Sequence, residues 1–470
     1  MDATASRAFP SQRIFDRLPA EIILLVFEAL FFLGPQRDSP VPWTLSSVCS
    51  QWRALALRSS VIWNQDVFVI PERPSLGDAA GILLQLQRSG ASPLTIRLTS
   101  RKRCVHSSHI SQVFETSPRW KSLEVYLQKW PSQALRSPTL DLESLSYVQF
   151  RCNPNSALPT APFAMARCIR MSVENVLRCA HSLKQLALDQ FRALVINVDD
   201  NLTGLKTLLE YQSRGTAADT HMNILSSAPL LRFAAIECTS SSLRALTPIV
   251  THTNLRTLSL FIPSQYEERP GESANQTMVQ LLGRLRLPQL HTLIIQTQHT
   301  DCRRSLKPCA LQALYRMLHV SANSLTKLVV AARHVCPWLG DAVSGQTRLE
   351  ELHLHVSHLL GSNLATGLSQ SPLLARLSMS RYGSWKPNSE ELSMIGAMLH
   401  EQTTRQVSIG LDDFYLRIWE AYVSLNVDVW AAPEPSIRCV SCREVYYRRF
   451  TGPERESLSL QLDISERICH

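Results

Sequence analysis

Residues 348–355 read Arg-Leu-Glu-Glu-Leu-His-Leu-His, and the spacing of their leucines decides how the rest of the chain is read. Leu349, Leu352 and Leu354 follow the pattern Leu-x-x-Leu-x-Leu, whose last two leucines stand two residues apart and therefore face the same side of a strand. The pattern recurs at Leu183, Leu186 and Leu188, at Leu255, Leu258 and Leu260, and at Leu290, Leu293 and Ile295. Leu325, Leu328 and Val330, then Leu374, Leu377 and Met379, repeat it again, and weaker copies begin at Leu123, Leu142, Leu205 and Leu231. Starts at 183, 205, 231 and 255, and at 325, 349 and 374, lie 22 to 26 residues apart, whereas 255 to 290 and 290 to 325 are 35 each.

One strand and one return helix fill such a period, and a unit that small cannot bury its own apolar face, so neighbours must stack and share a core. Val279, Leu281, Leu282 and Leu285 supply one return helix and Leu311, Leu314, Tyr315 and Leu318 another. On these residues the region resembles leucine-rich repeats. It departs from them in lacking the asparagine that should follow the strand leucines, and in placing Glu210 where an inward apolar residue belongs. The resulting expectation is an α/β fold, a degenerate solenoid over 123–402. A doubly wound sheet is the alternative, but it would show longer continuous apolar strands and would not need the repeat.

Ahead of the repeats, residues 18–33 read LPAEIILLVFEALFFL and residues 43–63 read WTLSSVCSQWRALALRSSVIW. Pro19 suits a first helical turn, and Asp16 and Glu21 place negative charge near the positive end of the helix dipole. From Ile22 to Leu33 Glu28 is the only charge, so this helix needs cover on nearly every side. Thr44 to Leu57 reads as further helix with Leu45, Val48, Trp52, Leu55 and Ala56 at helical spacing. Three helices in some fifty residues make a very small core, so any apolar surface left over would have to be covered by a partner. A signal peptide is disfavoured by Asp16, Glu21 and Glu28, and the twelve residues from Ile22 to Leu33 are too few to span a bilayer.

Leu18-Pro19-x-Glu21-Ile22, Phe27, the Val48-Cys49 pair, the Trp52-Arg53 pair and Trp63 resemble the F-box motif. That resemblance implies docking on a Skp-family adaptor, which joins a cullin and its RING partner. The residues it selects are Leu18, Pro19, Ile22, Phe27, Leu45, Val48, Cys49, Trp52, Leu55 and Trp63, some of them core and others contact; sequence does not sort the two groups.

The implied organisation is a disordered 1–12, an F-box-like helical domain at 13–70, and a linker helix with a first strand at 71–122. The solenoid at 123–402, a terminal cap at 403–435 around Trp419 to Trp430, and an unassigned tail at 436–470 complete it. Ala79 to Arg88 reads as a helix and Leu94 to Leu98 as a strand with two-residue alternation.

Over 470 residues the chain is 45% hydrophobic and 19% charged, an ordinary composition with ample material for a core. Formal charge is +9; residues 1–70 contribute 0 and residues 401–470 contribute −3, so the middle carries +12. That tilts the middle toward acidic partner surfaces, yet it is too dilute to argue for nucleic acid. Twelve scattered cysteines without a secretory signal read as reduced thiols, which places the chain in cytoplasm or nucleus. Asn201 and Asn275, each in a glycosylation triplet, are chance matches in that setting.

Cys439-x-x-Cys442 with Cys469-His470 has zinc-type ligands, but its long spacing and terminal position make chance pairs the reading taken. His353, His355 and His358 form His-x-His-x-x-His, and recognition-surface side chains are preferred there to a metal site. No phosphate loop, dinucleotide fingerprint, nucleophile motif or metalloprotease motif occurs; His400-Glu401 starts the last and fails at Thr404. No cofactor and no metal are expected.

The F-box resemblance implies a non-catalytic substrate-recognition subunit of an SCF-type ubiquitin ligase. Its repeats would hold a target protein on a concave face, with an acidic target favoured by the charge, and without nucleic acid or membrane. Strand alternation selects for that face Ala187, Asp189, Ser259, Phe261, Ile294, Gln296, Val329, Ala331, His353, His355, Ser378 and Ser380, with Phe261 and the two histidines as anchors. The competing expectation is a repeat scaffold in which the F-box-like segment is only a structural cap.

Overall fold

A computed structural model describes residues 18–32, 41–65, 68–70, 76–98, 108–126, 135, 140–151, 163–189, 196, 202–211, 218–238, 249–262, 274–297, 308–335, 338–359, 363–381, 389–411 and 437–439. The expected disordered start, the cap around Trp419 to Trp430 and the ligands Cys442, Cys469 and His470 lie outside the described residues. The chain divides into two compact units, Met1–Leu183 and Lys184–His470. Both are α/β, with parallel strands and intervening helices.

Among the described residues of the first unit four short helices come before the strands: α1 (Ala20–Phe32), α2 (Val41–Val48), α3 (Ser50–Arg58) and α4 (Ser60–Gln65). The helical stretch expected over Thr44–Leu57 is divided into two helices, α2 and α3. The break falls at Cys49, whose extended backbone (φ −156°, ψ 172°) ends α2. Its sulfur accepts from the Trp52 backbone N–H at 3.4 Å and so caps the start of α3. Ile23, Phe27, Leu45, Ala56 and Ile62 form one buried cluster against which Leu18, Leu24, Trp52 and Leu55 pack.

Strands β1 (Phe68–Ile70), β2 (Leu94–Leu98), β3 (Trp120–Tyr126) and β4 (Tyr147–Arg151) pair in parallel and in chain order. Helix α5 (Leu76–Arg88) begins three residues before the expected Ala79 and links β1 to β2. Helices α6 (Ser108–Glu115) and α7 (Phe163–Cys179) and a 3-10 turn at Ser117–Arg119 also belong to this unit.

The second unit is leucine-rich-repeat-like. Strands β5 (Gln185–Asp189), β6 (Thr207–Tyr211), β7 (Phe233–Glu237), β9 (Thr257–Ile262) and β11 (Thr292–Thr297) lie side by side in parallel. The row continues through β12 (Lys327–Val335), β13 (Glu351–Leu359), β14 (Arg376–Arg381), β15 (Ser408–Leu411) and β16 (Ile437–Cys439). A separate pair, β8 (Val250–Thr251) with β10 (Leu285–Arg286), stands apart from that sheet. The return helices are α8 (Ala218–Ser227), α9 (Ala274–Arg284), α10 (Pro308–Val320), α11 (Trp338–Ser344), α12 (Asn363–Ser369) and α13 (Ser389–Thr404).

Register explains the leucine pattern. Leu258, Leu293, Leu328, Leu352 and Leu377 stand opposite one another on successive strands and are all fully buried. Each strand of this row thus contributes one rung to a continuous apolar column, which no single repeat could close. A second buried row lies three residues before the first leucine, where Ala180, Leu202, Ala228, His252, Leu287, Gln346 and Ser371 recur. The polar members of that row tie repeats together. His252 Nε2 donates to the Ala228 carbonyl at 2.8 Å, Gln346 Nε2 to Leu318 at 3.4 Å, and Ser371 Oγ to Val343 at 3.2 Å. Because His252 Nδ1 accepts from the Leu255 N–H at 3.0 Å, its proton is fixed on Nε2. Burial holds this imidazole below its ordinary pKa.

Helices α11 and α12 meet through backbone. A Cβ on Gly340 would collide with the Asn363 carbonyl, and one on Gly367 with the Gly340 carbonyl.

Candidate interaction surfaces

The structure sorts the F-box-like residues that sequence left together. Phe27, Leu45 and Trp63 are core; Leu18, Cys49, Trp52 and Leu55 are half-buried; Pro19, Ile22 and Val48 are exposed. Trp52 is neither free nor central: its ring meets Phe27 edge-on at 4.9 Å. Trp63 donates Nε1–H to the Ala56 carbonyl at 2.7 Å, and the Arg88 guanidinium lies 4.4 Å from its ring centroid and 5.0 Å from that of Trp43. Gln85 donates to the Trp63 carbonyl at 3.3 Å, and Ser92 bonds Ser60 at 3.0 Å. Helix α4, with Trp43 of α2, is therefore seated on the end of α5 and the turn before β2.

Burying Ile23 and Phe27 turns the other side of α1 outward. Ile22, Leu25, Val26 and Leu30 recur at three- and four-residue spacing and remain exposed, Leu25 by 59%. Val48 on α2 (58%) and Leu57 on α3 (43%) are further exposed apolar groups. Sequence reading missed Leu25, Val26, Leu30 and Leu57. No sequence signal separated them, since the helix is apolar on nearly every side; only the burial of Ile23 and Phe27 fixes its inward side and hence the outward one.

On the repeats, the selected open-face residues do fall on the side of the strands opposite the leucine column, and the structure divides them by burial. Asp189, Ser259, Phe261, Ile294, Gln296 and His355 are half-buried, while Ala187, Val329, Ala331, His353, Ser378 and Ser380 are buried. Neighbouring strands are the cause: Val329 lies in register between Ile294 and His353, and Ala331 between Gln296 and His355, so small side chains are shaded by larger ones. Of the expected anchors, Phe261 and His355 keep part of their surface and His353 does not.

Around His353 sits the best-defined charged group of this face. Glu351 binds Lys327 at 3.0 Å, His353 at 3.1 Å and Arg376 at 3.3 Å. The bond from His353, aided by Lys327, holds the Glu351 carboxyl down at about 2. Burial in turn holds the His353 imidazole below its ordinary pKa. His355 Nδ1 is paired with Ser380 Oγ at 2.6 Å. The first unit carries a separate network: Glu124 binds Arg97 at 2.6 Å, and Arg151 donates to the Tyr126 hydroxyl at 2.6 Å while lying 5.4 Å from that ring's centroid.

Glu210 occupies the inward position opposite Leu188, as the sequence required, and is buried there. It accepts from His221 Nε2 at 2.6 Å and from the Glu237 backbone N–H at 2.8 Å, which satisfies a carboxylate in the core. Beside it the Cys238 thiol is pushed well up by burial and by Glu210 and Glu237. Among the described residues no group of three or more histidine, cysteine, aspartate and glutamate side chains could hold a metal, and no helix is long and apolar enough to cross a membrane.

No protein-family model matches the chain, and no curated protein matches it. Solved structures similar to it include an internalin from Listeria monocytogenes, at 12% identity and a TM-score of 0.31, covering 80% of this chain and 88% of the internalin.

Proposed function

We propose that this chain is a substrate-recognition subunit of an SCF-type ubiquitin ligase, docking on a Skp-family adaptor through α1–α3 and holding a target protein on its repeats. The observation that carries the reading is the outward row Ile22, Leu25, Val26 and Leu30, on a helix whose inward side is already filled by Ile23 and Phe27. An apolar row left outside a closed core calls for a partner with an apolar groove. In this role the chain supplies no catalytic residue. It acts by raising the effective concentration of target lysines near a reactive thioester.

The test is co-purification of the full chain with the Skp-family adaptor, beside a Leu25→Asp, Val26→Asp variant. Both changes fall on exposed positions, so folding should persist while the adaptor is lost. Retention of the adaptor by the variant, or its absence from the wild type, would sink the reading. In that event the second reading takes over, a repeat scaffold with a helical cap; it is favoured by the bonding of Trp63 and Ser60 to Arg88, Gln85 and Ser92.

A further inference from the structure

The residue immediately before each strand of the second unit forms a column of its own. The backbone N–H of Lys206 bonds the Lys184 carbonyl at 2.8 Å, Arg232 bonds Lys206 at 2.9 Å, Arg256 bonds Arg232 at 2.9 Å, and His291 bonds Arg256 at 2.8 Å. Those links place the five residues at equivalent points of adjacent strands, about 4.8 Å from one to the next. Four successive rungs, Lys184, Lys206, Arg232 and Arg256, are therefore cationic, and all four are exposed. Among the described residues none of the four side chains has an ion-pair partner.

The flanking positions carry no carboxylate either: Ser182 and Gln185, Gly204 and Thr207, Leu230 and Phe233, Asn254 and Thr257, Gln289 and Thr292. The column stops where Thr326 and then Glu350 take the same place. Four positive charges spaced more closely than the Debye length of physiological salt repel one another, and nothing described on the protein relieves them. Part of the excess charge of the middle region is thus concentrated in one line, away from the Glu351 group.

We propose that this cationic column is a docking site for an acidic polypeptide segment, an extended run rich in aspartate and glutamate. The column is roughly 15–20 Å long by the strand spacing, the length of about five or six extended residues. Threonines 207, 257 and 292 and Gln185 border it with neutral donors suited to peptide and carboxylate oxygens. Nucleic acid fits less well. Single strands are held by successive aromatic rings, and the border offers Phe233 alone, while duplex binders commonly engage six or more phosphates. The proposal deepens the target half of the ligase reading but requires no adaptor, so its failure and that of adaptor docking are separate results.

The experiment is fluorescence anisotropy with the full chain and a labelled ten-residue glutamate peptide at low and physiological salt. A ten-residue Gly-Ser peptide and a ten-nucleotide oligothymidine serve as comparison probes. A Lys184→Gln, Lys206→Gln, Arg232→Gln, Arg256→Gln variant is set against Arg58→Gln, Arg178→Gln, Arg316→Gln, Arg348→Gln, which removes equal charge from other exposed positions. The expected result is salt-sensitive binding of the glutamate peptide, weakened about tenfold or more in the column variant and less than about threefold in the other. Equal weakening in both variants would reduce the effect to net charge and overturn the proposal. Tighter binding of oligothymidine through the same four residues, or no glutamate binding at low salt, would overturn it as well.

Discussion

The helical start of the chain and its repeats place apolar surface in opposite ways. In α1 four of the seven large apolar side chains described face outward, whereas in the repeats the strand leucines are sealed and the exposed column beside them is charged. A surface of the first kind associates by removing hydrocarbon from water, with little dependence on salt; one of the second kind steers and discriminates and weakens as salt rises.

The sharpest way to break this contrast is to delete equivalent hydrocarbon from each side of it. Leu258→Ala, in the sealed column, should cost about 2–5 kcal/mol in urea unfolding, because a cavity adds to the lost transfer energy. A cost under ~1 kcal/mol would mean that the column is not the closed core described. Next in size, Gly367→Ala should cost about 1–3 kcal/mol, since the new methyl meets backbone that cannot swing aside. Thermal melting should expose it as a shifted or split transition of the second unit.

A smaller effect concerns charge. Glu351 has its carboxyl held at about 2, below its unfolded value, so its contribution is fully present above the unfolded pKa and is lost as pH falls from roughly 4.5 toward 2. For a carboxylate still partly open to solvent the effect is about 1 kcal/mol after screening. Urea midpoints at pH 7 and pH 3 should therefore differ less in Glu351→Gln than in the wild type, and an unchanged difference would disprove the role. Smallest of all, Leu25→Ala on α1 should leave stability within about 0.5 kcal/mol while weakening adaptor retention. A large loss of stability instead would show that the row is core and erase the contrast between the two regions.

What was legible in the sequence follows the same division. Periodicity reveals what a side chain does for the core, so Leu349, Leu352 and Leu354 announced their strand, and Leu94 to Leu98 ran as read. The break at Cys49 was hidden, because a sulfur cap replaces the usual serine, aspartate or proline signal. The fate of open-face residues was hidden too. Alternation gives the side of the sheet, but shading of Val329 and Ala331 depends on Ile294, Gln296, His353 and His355, which come from strands 24 and 35 residues away. The cationic column was present in the letters Leu-Lys, Leu-Lys, Leu-Arg, Leu-Arg, yet only register shows that these four pairs are neighbours.

The backbone links between those rungs have one more consequence. Lys184, Lys206, Arg232, Arg256 and His291 are separated along the chain by 22, 26, 24 and 35 residues, yet each bonds the next with an N···O distance of 2.8 or 2.9 Å. Distance in sequence and distance in space are decoupled at this edge. Connecting segments can lengthen or shorten over generations without moving the row of charges, so the pitch of that row is inherited from the peptide bond rather than from the length of the gene.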